Sequence, residues 1–491
     1  MALESDFYTT LGILRDATQE EIKKAYLEAA QRLHPDKNQA PGETEFFLVV
    51  QQAYETLSNP KRRKAYDATL PPLEEDPDNP IALEIAYSRP QLVRMNDPQL
   101  IYVLLTMRGR RRGASLPVPP LNICLTLDRS TSMKGAKMDL LKAASIQFLR
   151  DMRNEDIFSV VTFSDRAEVI IPAGYQTDRT KLEARVRDIQ ASGATELFQG
   201  LDSGLNEVRR GRDARRVNHL ILLTDGHTYG DEEACLESAD KAAKESIGIS
   251  VMGIGADWND IFLDQVANRT GATSRYIAHP QDIQKLLAQK FSELTNVLAE
   301  ETSLKFELPE GVRLNYAFRM QPDSGPLATD DTTKLGQILR EADTSVLFEF
   351  YVESKALGVE KALLLDGSLK VSMAAYPMPP APMRIRFQCD VADEPAPTPP
   401  PSIILKALSK LTLYRMQERA RRESQSGDYE KATRSLKNLA VHLLEQGHRD
   451  LANTVLLEAE SMQRRHTFSL SGEKDIKYAT RALMNLGEFS L

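Results

Sequence analysis

Apolar residues in EEIKKAYLEAAQRL fall at Ile22, Ala25, Tyr26, Ala29, Ala30 and Leu33, the i, i+3, i+4, i+7, i+8, i+11 spacing of one helix face. A second stripe, Phe46, Val50, Ala53 and Leu57, predicts a helix from about 43 to 57. Joined by HPDKNQAPG, the two helices are expected to run antiparallel and bury their stripes together. Between about 121 and 298 the pattern changes to short apolar runs, NICLTL, IFSVVTF, AEVII, HLILLT, ISVMGI and SRYIA, alternating with amphipathic helices. That alternation predicts a mostly parallel sheet with helices on both faces. IALEIAYS and QLIYVLLTMRG precede this unit, and SLKFELP, RLNYAF, SVLFEFYVE, LKVSMAAY and MRIRFQC follow it, all alternating as antiparallel strands do. Both flanks are needed for a sheet of ordinary size, so the expectation is a β-sandwich with the α/β unit inserted into it. From Ser402 to about Arg465 the chain reads as helical again, with turns at SGDYEKA and QGHRD.

Proline marks the joints, since it ends helices and lacks the donor a sheet ladder needs. LPPLEEDPDNP closes the first helical block, and nine of the 26 prolines lie between Pro377 and Pro401. The expected division is 1–70 all-helical, 71–80 linker, 81–120 first part of the sandwich, 121–298 doubly wound α/β unit, 299–392 second part of the sandwich, 393–401 proline-rich spacer and 402–491 a C-terminal helical bundle packing on the sandwich. A chain of 491 residues demands such a division, because a single hydrophobic core stops growing well below that length.

Composition removes several functions. Sixty-two basic against 70 acidic side chains give a net charge of −8, which argues against a nucleic-acid binder, since that would need a basic face. The three cysteines, Cys124, Cys235 and Cys389, form no CxxC pair, so neither a zinc site nor a disulfide framework is expected and a reducing compartment is the simpler inference. The opening MALESDFYTT has no signal-peptide character and no stretch approaches eighteen uninterrupted apolar residues, so we expect no membrane span and a cytoplasmic location. P-loop, GxSxG and HExxH motifs are absent from the sequence, so an enzyme is not expected.

Two groups of residues carry chemistry. The first is His34, Pro35 and Asp36, which follow an amphipathic helix and place an imidazole, a rigid ring and a carboxylate at a hairpin tip. The opening DFYTTLGILRDATQEEIKKAY and the following QQAYETLSNPKRRKAYD complete the context, with Tyr8, Leu11, Gly12, Ala25, Tyr26, Leu57, the basic run Lys61 to Lys64, and Tyr66-Asp67. Over about residues 5 to 69 the chain resembles the J domain of DnaJ-type co-chaperones. The resemblance implies that His34, Pro35 and Asp36 dock on a DnaK-type heat-shock chaperone and stimulate its ATP hydrolysis, with Lys23, Lys24, Arg32 and Lys37 as the steering positive surface. Glu20, Glu21 and Glu28 balance Lys23, Lys24 and Arg32, and residues 1 to 70 hold 9 basic and 11 acidic side chains, so docking would rely on a local patch.

The second group is Asp128, Ser130 and Ser132 in DRSTSMKG, Thr195 in SGATELFQG and Asp225 in HLILLTDG. All three loops are expected at the carboxyl edge of one parallel sheet, where open α/β folds bind ligands. Hydroxyls and carboxylates without His or Cys suit a hard divalent cation, Mg²⁺ or Mn²⁺, in preference to zinc. The set resembles the metal-ion-dependent adhesion site (MIDAS) of von Willebrand factor A domains. By that resemblance Ser130, Ser132 and Thr195 ligate directly, Asp128 and Asp225 act through waters or hydrogen bonds, and a vacant position accepts an Asp or Glu carboxylate of a partner protein. His227 is the candidate base for a metal-assisted hydrolysis, although a lone loop histidine is more often a surface residue. GDYEKATRSLKNLAVHLLEQGHRDLANTVLLEAE faintly resembles one tetratricopeptide hairpin. The function expected is a J-domain adaptor that brings a DnaK-type ATPase to a metal-bridged partner. The alternative is an assembly subunit whose α/β unit serves a partner ATPase, as in chelatase-type systems.

Overall fold

The computed structural model describes residues 7–11, 13, 17–33, 43–67, 80–110, 118–227, 230–375, 380–396, 399–469, 471–484 and 486. Four N-terminal helices come first: α1 (Phe7–Leu11), α2 (Gln19–Leu33), α3 (Glu43–Leu57) and α4 (Pro60–Asp67). Helix α2 starts on a reciprocal cap, in which the Glu21 amide donates to Thr18 Oγ1 at 3.2 Å and the Thr18 amide to a Glu21 carboxylate oxygen at 2.7 Å. Ile22 and Ala29 of the expected stripe are buried against Val50, Ala53 and Leu57, and the rings of Tyr26 and Tyr54 stack 4.1 Å apart. Arg63 of the basic run turns inward, donating to the Tyr8 hydroxyl at 2.9 Å and the Ala17 carbonyl at 2.7 Å, while Tyr8 donates to Asp67.

Strands β1 (Ile81–Tyr87), β2 (Gln91–Val93) and β3 (Gln99–Gly109) precede the α/β unit. That unit runs β4 (Leu121–Asp128), α5 (Ala136–Asp151), β5 (Ile157–Phe163), β6 (Ala167–Tyr175), α6 (Arg179–Arg187), α7 (Leu197–Arg210), β7 (Val217–Thr224), α8 (Glu232–Lys244), β8 (Gly248–Ile254), α9 (Asp260–Arg269), β9 (Ser274–Ile277) and α10 (Ile283–Thr295). Its sheet has the order β6-β5-β4-β7-β8-β9, parallel except for β6, which pairs antiparallel with β5 at the edge. Every residue of β4 and β7 is buried. Because successive side chains alternate faces, Ile123, Leu125 and Leu127 enter one core with Leu141, Phe148 and Leu287, whereas Cys124 enters a second with Leu201, Leu205 and Leu222.

Only Asn296 separates α10 from the next strand, β10 (Val297–Glu307), so the expected boundary at 298 cuts a strand. It is followed by β11 (Val312–Gln321), β12 (Gly325–Leu327), β13 (Thr332–Leu339), β14 (Thr344–Val352), β15 (Lys361–Ser372) and β16 (Met383–Ala392). These form, with the first three strands, two five-stranded sheets, β1-β3-β14-β11-β12 and β13-β10-β15-β16-β2. Leu105, Phe348 and Phe350 of one sheet share a core with Leu304, Leu365 and Phe387 of the other. One pairing departs from the antiparallel expectation: β2 lies parallel to β16, with Gln91 opposite Asp390. Strands β2, β12 and β13 are not among those expected from the sequence; the first two are three residues long, too short to show alternation.

The C-terminal helices are α11 (Ser402–Gln425), α12 (Tyr429–Glu445), α13 (Arg449–Arg465) and α14 (Gly472–Ala482). Helix α11 lays Ile404, Ala407, Leu411 and Tyr414 on Leu104, Phe318 and Leu347 of the first sheet, as expected of a bundle on that surface. Helix α14, in the part of the C-terminal region past the last helical pattern at about Arg465, docks on the α/β unit. Asp260 of α9 pairs with Arg421 and Lys477, and Asp264 pairs with Lys477 at 2.8 Å and Arg481 at 2.6 Å, the three cationic side chains being 3–7% exposed. Trp258 is fully buried beside this seam, donates from its indole to the Gly255 carbonyl at 2.9 Å, and lies near the rings of Tyr276 and Tyr478. It therefore caps the sheet under α14. A Cβ on Gly253 would fall inside the indole ring. The Gly253→Ala substitution is accordingly expected to cost about 1–3 kcal/mol and to shift the emission of this single tryptophan; an unchanged melting temperature and spectrum would contradict the packing.

Candidate metal centre

The centre of the sheet is its switch point, because the chain leaves β4 toward β5 on one side and returns to β7 on the other. Loops after β4 and β7 thus meet over one crevice. Asp128, the last residue of β4, is completely buried; one carboxylate oxygen accepts from the Ser130 amide at 2.8 Å and the other from the Thr224 hydroxyl at 2.7 Å. Burial pushes its pKa above the ordinary carboxylate value, opposed by these hydrogen bonds. The following turn brings the Ser130 and Ser132 hydroxyls to 2.9 Å, and Ser132 donates to Asp225 Oδ1 at 2.6 Å. Lys137, in the first turn of α5, approaches Asp225 Oδ2 at 2.5 Å.

The third loop is tied to the first by its backbone. The Ser192 amide donates to the Arg129 carbonyl at 2.7 Å and the Thr131 amide to the Gly193 carbonyl at 3.0 Å. Asp231 locks the third loop to the second by accepting from the Phe198 amide at 2.8 Å, in the first turn of α7. It caps that helix from outside the helix it precedes. Thr195 directs Oγ1 at Gly226, beside Asp225; a Cβ on Gly226 would come within 2.9 Å of that oxygen, so glycine leaves the space the threonine uses. Asp128, Ser130, Ser132, Thr195 and Asp225 are therefore gathered at one sheet edge, as the sequence predicts.

Does this set suit a hard cation? Adjacent ligands of an octahedral Mg²⁺ with bonds of about 2.0–2.1 Å stand about 2.9 Å apart, which is the separation of the two serine hydroxyls. Among the described residues no group of three or more His, Cys, Asp or Glu could hold a metal ion, and the oxygens gathered here are three hydroxyls and two carboxylates. The residues fit Mg²⁺ or Mn²⁺, with Ser130, Ser132 and Thr195 as hydroxyl donors, Asp128 holding the Ser130 amide and Asp225 the Ser132 hydroxyl. His227 is exposed. Lys137 and Thr224 are not marked out by the sequence pattern; both are close in sequence to motif residues, but only the fold shows what they bind.

In the N-terminal helices, Lys23 and Lys24 are exposed on α2 and Arg32 lies in its last turn. His34, Pro35, Asp36 and Lys37 lie outside the described residues.

Comparison with known proteins gives three family matches along the chain: DnaJ domain over residues 6–67, von Willebrand factor type A domain over 122–290, and Sll0103-like, C-terminal alpha-helical domain over 402–486. "Uncharacterized protein sll0103" of Synechocystis sp. is 26% identical over 243 residues, 48% of this chain and 58% of that protein. DnaJ homolog subfamily B member 12 of Mus musculus is 53% identical over 62 residues, 13% of this chain and 16% of that protein. The chain thus spans less than two thirds of either relative. The solved structure of von Willebrand factor type A from Catenulispora acidiphila shares the fold, with a TM-score of 0.65 at 16% identity over 82% of this chain and 96% of its own. Among the described residues no helix is long and apolar enough to cross a membrane.

Proposed function

Because the chain carries a DnaJ domain and a von Willebrand factor A domain, we propose that it is a non-catalytic, cytoplasmic co-chaperone adaptor: the first domain engages a DnaK-type heat-shock ATPase and the second holds a partner protein. The observation that carries this reading is the hydrogen-bonded gathering of Ser130, Ser132 and Asp225 over the switch point of a chain that also has a J domain. A bound Mg²⁺ or Mn²⁺ would supply a Lewis-acidic position for an Asp or Glu carboxylate of the partner. Asp128 holds the Ser130 amide and the Thr224 hydroxyl, and Asp225 orients Ser132. His34, Pro35 and Asp36, with Lys23, Lys24, Arg32 and Lys37, form the chaperone-facing surface. Tethering raises the chaperone's local concentration at the partner without any further contact. We read the two five-stranded sheets around one core as a single sandwich into which the A domain is inserted. Its rigid attachment to the C-terminal helices would keep the metal face at a fixed distance from them.

A second reading, an assembly subunit whose A domain serves a partner ATPase of chelatase type, draws on the cyanobacterial relative, whose likeness covers more of the chain than the J domain does. The two readings differ in who consumes ATP. His34→Gln is expected to abolish stimulation of a DnaK-type ATPase in a steady-state hydrolysis assay while leaving the circular dichroism of the chain unchanged. Undiminished stimulation by that variant removes the co-chaperone half of the proposal.

A further inference from the structure

We infer that Lys137 is the residue that makes the metal centre select an anionic ligand, an inference that rests on the metal-site reading above. Both oxygens of Asp225 are occupied by protein donors, Ser132 on one and the Lys137 ammonium on the other. The Asp225 side chain is completely buried and that of Lys137 is 32% exposed, so the pair is only partly screened by water. Lys137 is also placed against its own helix: it occupies the first turn of α5, where the backbone dipole favours a negative charge. The contact with Asp225 is what offsets that placement.

Counting charge gives the consequence. Asp128 and Asp225 contribute −2 and Lys137 +1, so the centre carries −1 without an ion and +1 with a divalent one. Neutral at position 137, the same centre would carry −2 and 0. Lys137 therefore opposes the cation and leaves a net positive charge once it is bound, which favours a carboxylate over water or an amide at the remaining position. The exposed Lys134, on the same loop, adds to that sign, whereas Arg129 is paired with Glu168 at 3.7 Å. Lys137 also occupies Asp225 Oδ2, which keeps this carboxylate as an orienting group for Ser132 rather than a direct ligand.

The test uses the full chain as wild type, Lys137→Met, Lys137→Gln, Lys137→Arg and Asp128→Ala. Mn²⁺ binding is measured by electron paramagnetic resonance, and the water-proton relaxation of the Mn²⁺-loaded chain is then titrated with acetate and with acetamide. Both neutral variants are expected to bind Mn²⁺ about tenfold more tightly and to lose about tenfold in acetate affinity, with acetamide unchanged. Lys137→Arg should behave as wild type in both measurements and Lys137→Met, which keeps an unbranched stem without the charge, should not, whereas a purely structural role for the stem predicts wild-type behaviour from Lys137→Met. Neutral variants that bind Mn²⁺ and acetate as the wild type does overturn the inference and leave the metal centre standing. Equal Mn²⁺ binding by wild type and Asp128→Ala overturns the metal centre itself.

Discussion

The Asp264→Ala substitution is expected to lower the unfolding free energy by roughly 3–5 kcal/mol, because it leaves the Lys477 and Arg481 charges inside the protein with one carboxylate fewer to answer them. Asp264 accepts two bonds from Arg481 at 2.6 and 2.9 Å, and its side chain is 13% exposed. Burial by itself would raise its pKa, but Arg481 and Lys477 hold the carboxyl well below the ordinary 3.8, and Lys477 and Arg421 do the same for Asp260. A carboxyl whose folded pKa is depressed adds stability that is fully present above the ordinary value and is lost as pH falls through the folded one. The seam between A domain and C-terminal helices is therefore expected to be insensitive to pH above about 4 and to loosen only in stronger acid. Urea titration of the wild type and Asp264→Ala, followed by Trp258 emission, measures both. A loss smaller than about 1 kcal/mol, the size of a surface pair, would show that the seam contributes little. Replacing Asp264, Lys477 and Arg481 together by apolar residues is expected to recover much of the loss, since the cost comes from charges left without partners.

The Asp128→Ala substitution is expected to abolish divalent-cation binding and, with it, Mg²⁺-dependent recovery of partners from a native lysate. Asp128 combines a charge with two structural bonds, to the Ser130 amide and the Thr224 hydroxyl, so its loss loosens both loops of the crevice and removes half of its negative charge. Asp128→Asn keeps most of the shape while removing the charge, and should lose the ion with a smaller effect on stability. Leaving buried polar groups unpaired costs about 1–3 kcal/mol, which thermal melts of the two variants would separate. Capture of the same partners by Asp128→Ala, with and without chelator, refutes metal-bridged binding.

Much of this arrangement is legible in the chain because its signals are local. The stripe through Ile22 and Ala29 needs only helical periodicity, and β4 and β7 announce themselves as apolar runs buried on both faces. The five oxygen-bearing residues of the crevice are legible for a related reason: each sits where a strand or loop hands over to a helix, and a parallel sheet puts those handovers on one edge. Strands β2 and β12 are not legible, since three residues carry no period. Helix α14 lies past the last apolar stripe that the sequence reading followed, and it docks through Lys477 and Arg481, which in a linear reading look like a solvated face.

By itself the sequence determined the succession of a helical J domain, an A domain between strand-rich flanks and a helical tail, along with the identity of the five oxygen-bearing residues. Periodicity and motif spacing are properties of neighbours along the chain. Tertiary structure alone decided that Lys137 neutralises Asp225, that Asp231 caps a helix 34 residues earlier in the chain by way of the Phe198 amide, and that α14 fastens the tail to α9. Those contacts join residues 33 to 217 positions apart, and the pairing of charges across such distances is set by how the layers stack, which no local pattern records.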